Sequence, residues 1–87
     1  MLFLAKVYVT LKPTVNDPQG LTVKGALHTL GFKAVESVRI GKYIEVQVEA
    51  ASAQEAAAQV QEMCRKLLAN PVIELSRFEI LEVGAMA

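Results

Sequence analysis

Three places along this chain carry side chains able to do chemistry. His28 is the one histidine, Cys64 the one cysteine, and Arg39, Lys42 and Tyr43 gather around Gly41. A histidine works as a general base when a serine, cysteine or carboxylate completes a dyad with it. The residues around His28 (Ala26, Leu27, Thr29, Leu30) offer none. A nucleophilic cysteine needs an open, positive setting. Cys64 instead falls on the apolar side of a helical pattern, where a free thiol packs as a small hydrophobe, and Arg65 points away around the helix. One histidine and one cysteine also argue against a tetrahedral structural zinc site. No GxGxxG or Walker-type phosphate loop is present, since Gly20, Gly25 and Gly31 are spread along one helix. Arg39, Lys42 and Tyr43 remain. Two cations and an aromatic beside a glycine are either the polar decoration of a hairpin tip or a surface that recognises a carboxylate, a phosphate or an acidic protein patch. No catalytic equipment is visible in these residues, and both readings of the hairpin tip stand.

The elements that must position these residues follow from periodicity. Phe3, Ala5, Val7, Val9 and Leu11 alternate with Leu4, Lys6, Tyr8, Thr10 and Lys12, which is period two and predicts a strand ended by Pro13. Asp17-Pro18 is a helix start: the carboxylate can cap free N–H groups and proline fits the first helical position. Val23, Ala26, Leu27 and Leu30 then fall on one face, with Gly31 placed to end the helix. Leu21, Gly25 and His28 project from the outward face, where a glycine inside a helix suits the close approach of another chain.

Val38–Val48 alternates on both sides of Gly41 and predicts a hairpin with Val38, Ile40, Ile44, Val46 and Val48 inward. Ser52-Ala53-Gln54-Glu55 is a capping box opening a second helix that runs to about Ala69, ended by Asn70-Pro71. Glu74–Val83 reads as a last strand. The order β-α-β-β-α-β predicts a ferredoxin-like α+β sandwich, two helices on one face of a four-stranded antiparallel sheet. Residues 1–83 are expected to form a single domain and 84–87 a frayed tail. The open sheet face would carry Leu4, Lys6, Tyr8, Thr10, Arg39, Tyr43, Glu45, Gln47, Arg77, Glu79 and Leu81, a mixture suited to protein contact.

Composition narrows the partners. The 87 residues are 53% hydrophobic with mean hydropathy +0.34, and so short a chain cannot bury all of that alone. The surplus predicts a homo-oligomer, dimer or tetramer, or a place in a larger complex. Nine basic and nine acidic residues cancel, and the lysines are scattered, which argues against a nucleic-acid partner. A lone cysteine excludes an intrachain disulfide and suits a reducing cytoplasm. No stretch approaches the roughly 20 apolar residues of a membrane helix.

Five blocks in this order and spacing carry a family resemblance that spans nearly the whole chain. They are Lys6-Val7-Tyr8-Val9, Asp17-Pro18-Gln19-Gly20, Ala26-Leu27-His28, Val38-Arg39-Ile40-Gly41-Lys42-Tyr43 and Leu67-Leu68-Ala69-Asn70-Pro71-Val72-Ile73-Glu74. Together they resemble PurS, the small subunit of phosphoribosylformylglycinamidine synthase. The resemblance implies a non-catalytic subunit in de novo purine biosynthesis, bridging a glutaminase subunit and a large ATP-dependent synthetase subunit. It implies no cofactor on this chain, with ATP, Mg²⁺ and glutamine used by the partner subunits. Leu21, His28, Arg39, Lys42 and Tyr43 are the candidate partner-contact residues. The alternative reading is a dimeric small-molecule-sensing or regulatory ferredoxin-like module, since fold does not fix function.

Overall fold

The computed structural model describes residues 1–83; the expected tail, 84–87, lies outside the described residues. Its elements are β1 (Leu2–Leu11), α1 (Pro18–Thr29), β2 (Gly41–Glu49), α2 (Ala53–Met63) and β3 (Glu74–Glu82), with a π-helical turn at Cys64–Leu68 extending α2. The strands form one antiparallel sheet in the order β2-β1-β3. In the register, Val7 stands between Ile44 and Phe78, and Tyr8 between Tyr43 and Arg77.

Alternation along β1 does what its sequence dictates. Phe3, Ala5, Val7 and Val9 are at most 3% exposed and form the centre of the core. Val48, Ala50, Ala56, Val60, Cys64 and Ala69 close over them, with Ile44, Val46, Met63, Leu68, Phe78 and Ile80 half-buried at the margin. Cys64 is a buried free thiol within this packing. Helix α2 starts as the capping box requires: Ser52 Oγ accepts from Glu55 N at 3.1 Å, and Glu55 Oε2 accepts from Ala51 N at 3.1 Å. At its other end the Ala69 N–H donates to Cys64 O at 3.0 Å, a five-residue spacing that widens the last turn. Gly31 ends α1 with φ +103°, the left-handed conformation that glycine adopts without strain.

The expected hairpin does not form, and with it goes the fourth strand. The described sheet has three strands, and Val38, Arg39 and Ile40 are an unpaired lead-in to β2. Their hydrogen bonds go elsewhere. Ile40 N–H donates to the Asp17 carboxylate at 2.7 Å, and the Arg39 guanidinium donates to the carbonyls of Lys12 (2.9 Å) and Val15 (3.0 Å). Gly41 is therefore not a turn residue. It is the first residue of β2, opposite Thr10, and a Cβ there would stand 2.6 Å from the Val9 carbonyl oxygen. Close backbone approach, not positive φ, requires the glycine.

The second departure concerns α1. Helix α2 packs against β1 and β3, while α1 makes no comparable contact with any strand or with α2. Its expected core face is left in the open, with Val23 38% and Leu30 73% exposed. The molecule is accordingly drawn out: its radius of gyration is 16.8 Å, where a compact chain of this length has about 12 Å.

Glycine substitutions separate these environments. Gly41→Ala forces a methyl against the backbone of β1, and urea titration should show a loss of roughly 1–3 kcal/mol. Gly25→Ala meets nothing within 4 Å in the single chain and should gain roughly 0.5–1 kcal/mol. A loss at position 25 would instead place another chain against that face of α1.

Candidate functional site

The loop between β1 and α1 and the lead-in to β2 are tied together by one carboxylate. Asp17, 4% exposed, caps α1 by accepting from Gly20 N at 2.9 Å and uses its other oxygen for Ile40 N. The Ile40 N–H foremost, then that of Gly20, holds its carboxyl below the ordinary aspartate value. Gly20 must be a glycine here, because a Cβ would run into the Val38 carbonyl oxygen. His28 adds a second tie: its Nε2 lies 2.8 Å from Val35 O, a geometry in which the protonated ring nitrogen donates. These bonds fix where α1 leaves the sheet without bringing it back over the sheet.

The five candidate contact residues are thereby divided. Arg39 and His28 are engaged within the chain, as struts for the loop and for the segment after α1. Leu21 is 59% exposed on α1. Lys42 and Tyr43 are neighbours in a strand and so face opposite sides of the sheet. Lys42 shares the core side with Val9, its Nζ 3.9 Å from Glu74 Oε2. Tyr43 stands on the open side, half exposed, its ring centroid 5.1 Å from that of Tyr8. The grouping of Arg39, Lys42 and Tyr43 in one patch therefore does not hold in space.

A different cluster takes its place. Arg77 lays its guanidinium 4.1 Å from the centre of the Tyr8 ring, on the side opposite Tyr43, and lies 3.8 Å from Glu79 Oε1. Tyr43 donates its hydroxyl to Glu45 Oε2 at 2.7 Å, and that bond, with desolvation and the Glu45 charge behind it, pushes the phenol up to about 12. Across all three strands the open face thus presents two tyrosines and an arginine in register, rimmed by Lys6, Glu45 and Glu79. Tyr and Arg are the residue types that dominate contact energetics at protein interfaces, and the alternating charges suit a protein partner better than a polyanion. Each residue was legible as belonging to the open face. Their conjunction was not, because it depends on the β2-β1-β3 register. Among the described residues no group of three or more His, Cys, Asp or Glu side chains could hold a metal ion.

The Asp17 tie has a pH signature. Its folded pKa is depressed, so its contribution is present above the ordinary value of 3.8 and is lost as pH falls through the lower folded value. Asp17→Asn should lower the urea midpoint at neutral pH, and the gap to wild type should shrink steadily below about pH 4. A gap that stays constant down to acid unfolding would contradict the tie.

Comparison with known proteins places this architecture. Residues 4–82 match the family described as PurS: Phosphoribosylformylglycinamidine (FGAM) synthase. The phosphoribosylformylglycinamidine synthase subunit PurS of Bacillus subtilis is 50% identical over 84 residues, 97% of this chain and 99% of that protein. A solved structure of B. subtilis PurS superposes with a TM-score of 0.83 at 50% identity, covering 92% of this chain and 99% of the other. A chain in the structure of PurLQS from Thermotoga maritima, 33% identical, superposes at 0.85 and covers 93% and 99%. The fold is thus shared with these PurS structures, and this chain belongs to the PurS family.

Proposed function

We propose that this chain serves as the PurS-type subunit of phosphoribosylformylglycinamidine synthase, a non-catalytic part of that complex in purine biosynthesis. Its task is to bridge the glutaminase and ATP-dependent synthetase subunits, so that ammonia released from glutamine reaches formylglycinamide ribonucleotide. The observation that carries this reading is the near-full-length likeness to PurS proteins, one of them in a structure of PurLQS. Physically, a rigid subunit that holds two catalytic subunits in one orientation raises the effective concentration of a shared intermediate without adding chemistry of its own.

In this reading the chain works in the cytoplasm as a homo-oligomer, and ATP, Mg²⁺ and glutamine are handled by the partner subunits. The half-covered sheet and the exposed stripe of α1 support an oligomer, because each is an apolar surface that water disfavours. Of the five contact residues, Leu21 and Tyr43 offer exposed apolar or aromatic surface to a partner, and Tyr8 and Arg77 join Tyr43.

Reconstitution tests the proposal. Glutamine-dependent amidine formation by the matching synthetase and glutaminase should require this chain, while ammonia-dependent turnover by the synthetase should not. If both rates are indifferent to it, the bridging role is wrong. Tyr43→Ala combined with Arg77→Ala should weaken assembly at least tenfold with little change in the chain's own melting, whereas Arg39→Ala should lower its stability by releasing the Lys12 and Val15 carbonyls. Unchanged assembly in the double variant would remove the open face from the interface.

A further inference from the structure

Strand β1 pairs with both of its neighbours, so the outer edge of β3 is left without a partner strand. The ladder shows which groups point outward. At its two ends the Lys12 N–H donates to Ile73 O at 2.8 Å and the Val83 N–H donates to Leu2 O at 2.9 Å. Antiparallel pairing alternates, so the odd-numbered residues from Ile73 to Val83 spend their main-chain groups on β1. Ser76, Phe78, Ile80 and Glu82 therefore turn N–H and C=O away from it, and no loop or side chain of the described residues bonds to them. Sheet edges are commonly blunted by proline, a bulge or a covering segment. Here the pairing runs from Glu74 to Glu82 without a break, and the strand contains neither proline nor glycine.

Beside that edge lies a cleft of about 420 Å³, lined by Ser76 and Phe78 of the strand, by the buried Cys64 and Ala69, and by Lys12 and Arg65. Glu74 lines it too, but its carboxylate is spent: Oε1 accepts from Asn70 N at 2.6 Å, and Oε2 lies 3.9 Å from Lys42 Nζ. Arg65 is held by Glu62 at 2.6 Å, which leaves Lys12 as the lining cation with no ion-pair partner among the described residues. We propose that β3 takes an added strand from a catalytic partner subunit: an extended segment that sets one apolar side chain in the cleft and a carboxylate against Lys12. Main-chain bonds along the edge supply the affinity, and the cleft selects the side chains. The proposal rests on the bridging reading above and names the kind of contact. A second copy is the wrong occupant for a physical reason. The uncovered margin, where the homo-oligomer reading places the contact between copies, is on the β2 side of the sheet, and this edge is on the opposite side. A chain that joined its own kind at both sides would extend into an open-ended row, whereas a different chain at β3 closes it.

Residue-resolved amide hydrogen exchange, in the isolated chain and in the complex reconstituted with the matching synthetase and glutaminase, tests the edge. Alone, the amides of Ser76, Phe78, Ile80 and Glu82 should exchange fast. In the complex they should slow at least tenfold, while Leu75, Arg77 and Glu79, already bonded to β1, change little. Ser76→Pro gives a second reading, since it removes one outward N–H and no bond to β1, at an exposed residue. Folded by circular dichroism, it should assemble at least tenfold more weakly, whereas Ser76→Ala, which keeps the N–H, should assemble as wild type does. Edge amides that stay fast in a complex that does form, or full assembly by Ser76→Pro, would overturn the added strand and leave the bridging reading intact. Slow edge exchange already in the isolated chain, quickening on dilution, would give the edge to a second copy and overturn the proposal too. Glutamine-dependent turnover that does not need the chain would overturn the bridging reading itself, and the added strand with it.

Discussion

Strand β1 and the packing on its apolar face are what the rest of the structure depends on. Both other strands pair with β1 alone, and its four inward residues are at most 3% exposed. A second strand on each side satisfies its backbone, and α2 seals its core face through Val60, Ala56 and Cys64. The sheet is about three strand spacings wide, however, and one helix covers about two of them. The chain contains a second helix but does not fold it over the remaining strand. A folded centre with an unfinished margin is the result, and the margin is where partners can act.

The unfinished margin is a built feature. Asp17 joins the start of α1 to the lead-in of β2, Arg39 joins the same lead-in to the end of β1, and Gly20 permits the backbones to touch. Each of these groups spends its hydrogen-bonding capacity on setting a direction for α1. The other side of the sheet is finished in a different sense: its tyrosines, arginine and glutamates pair among themselves and stay exposed. One face is an apolar surface awaiting cover and the other an amphipathic surface ready for reversible contact. Both kinds suit the bridging role proposed above.

Much of this was legible in the sequence wherever the determining interaction is local. The alternation of β1, the Asp17 and Ser52 caps and the Gly31 stop depend on residues a few positions apart, and each was read correctly. The hairpin was misread because Gly41 serves a long-range need, the approach of β2 to the Val9 carbonyl, that looks in sequence like a turn. The π-helical turn at Cys64–Leu68 left no signal in an apolar pattern that suits an ordinary helix equally well. For α1 the stripe was legible, but the expectation that its own sheet would cover it was not met. The site was partly legible: the parity of Lys42 and Tyr43 follows from strand geometry, whereas Tyr8, Tyr43 and Arg77 meet only once the register is known.

The exposed apolar margin of this chain calls for cover from outside it. Amide hydrogen exchange along α1 tests this, because a 12-residue helix with no strand or second helix packed on its apolar stripe is marginal in water and exchanges quickly. Slow exchange of the α1 amides at high concentration, speeding up on dilution while β1 stays protected throughout, is the expected result. Exchange in α1 that is fast at every concentration, or protected to the same degree after dilution, would contradict it.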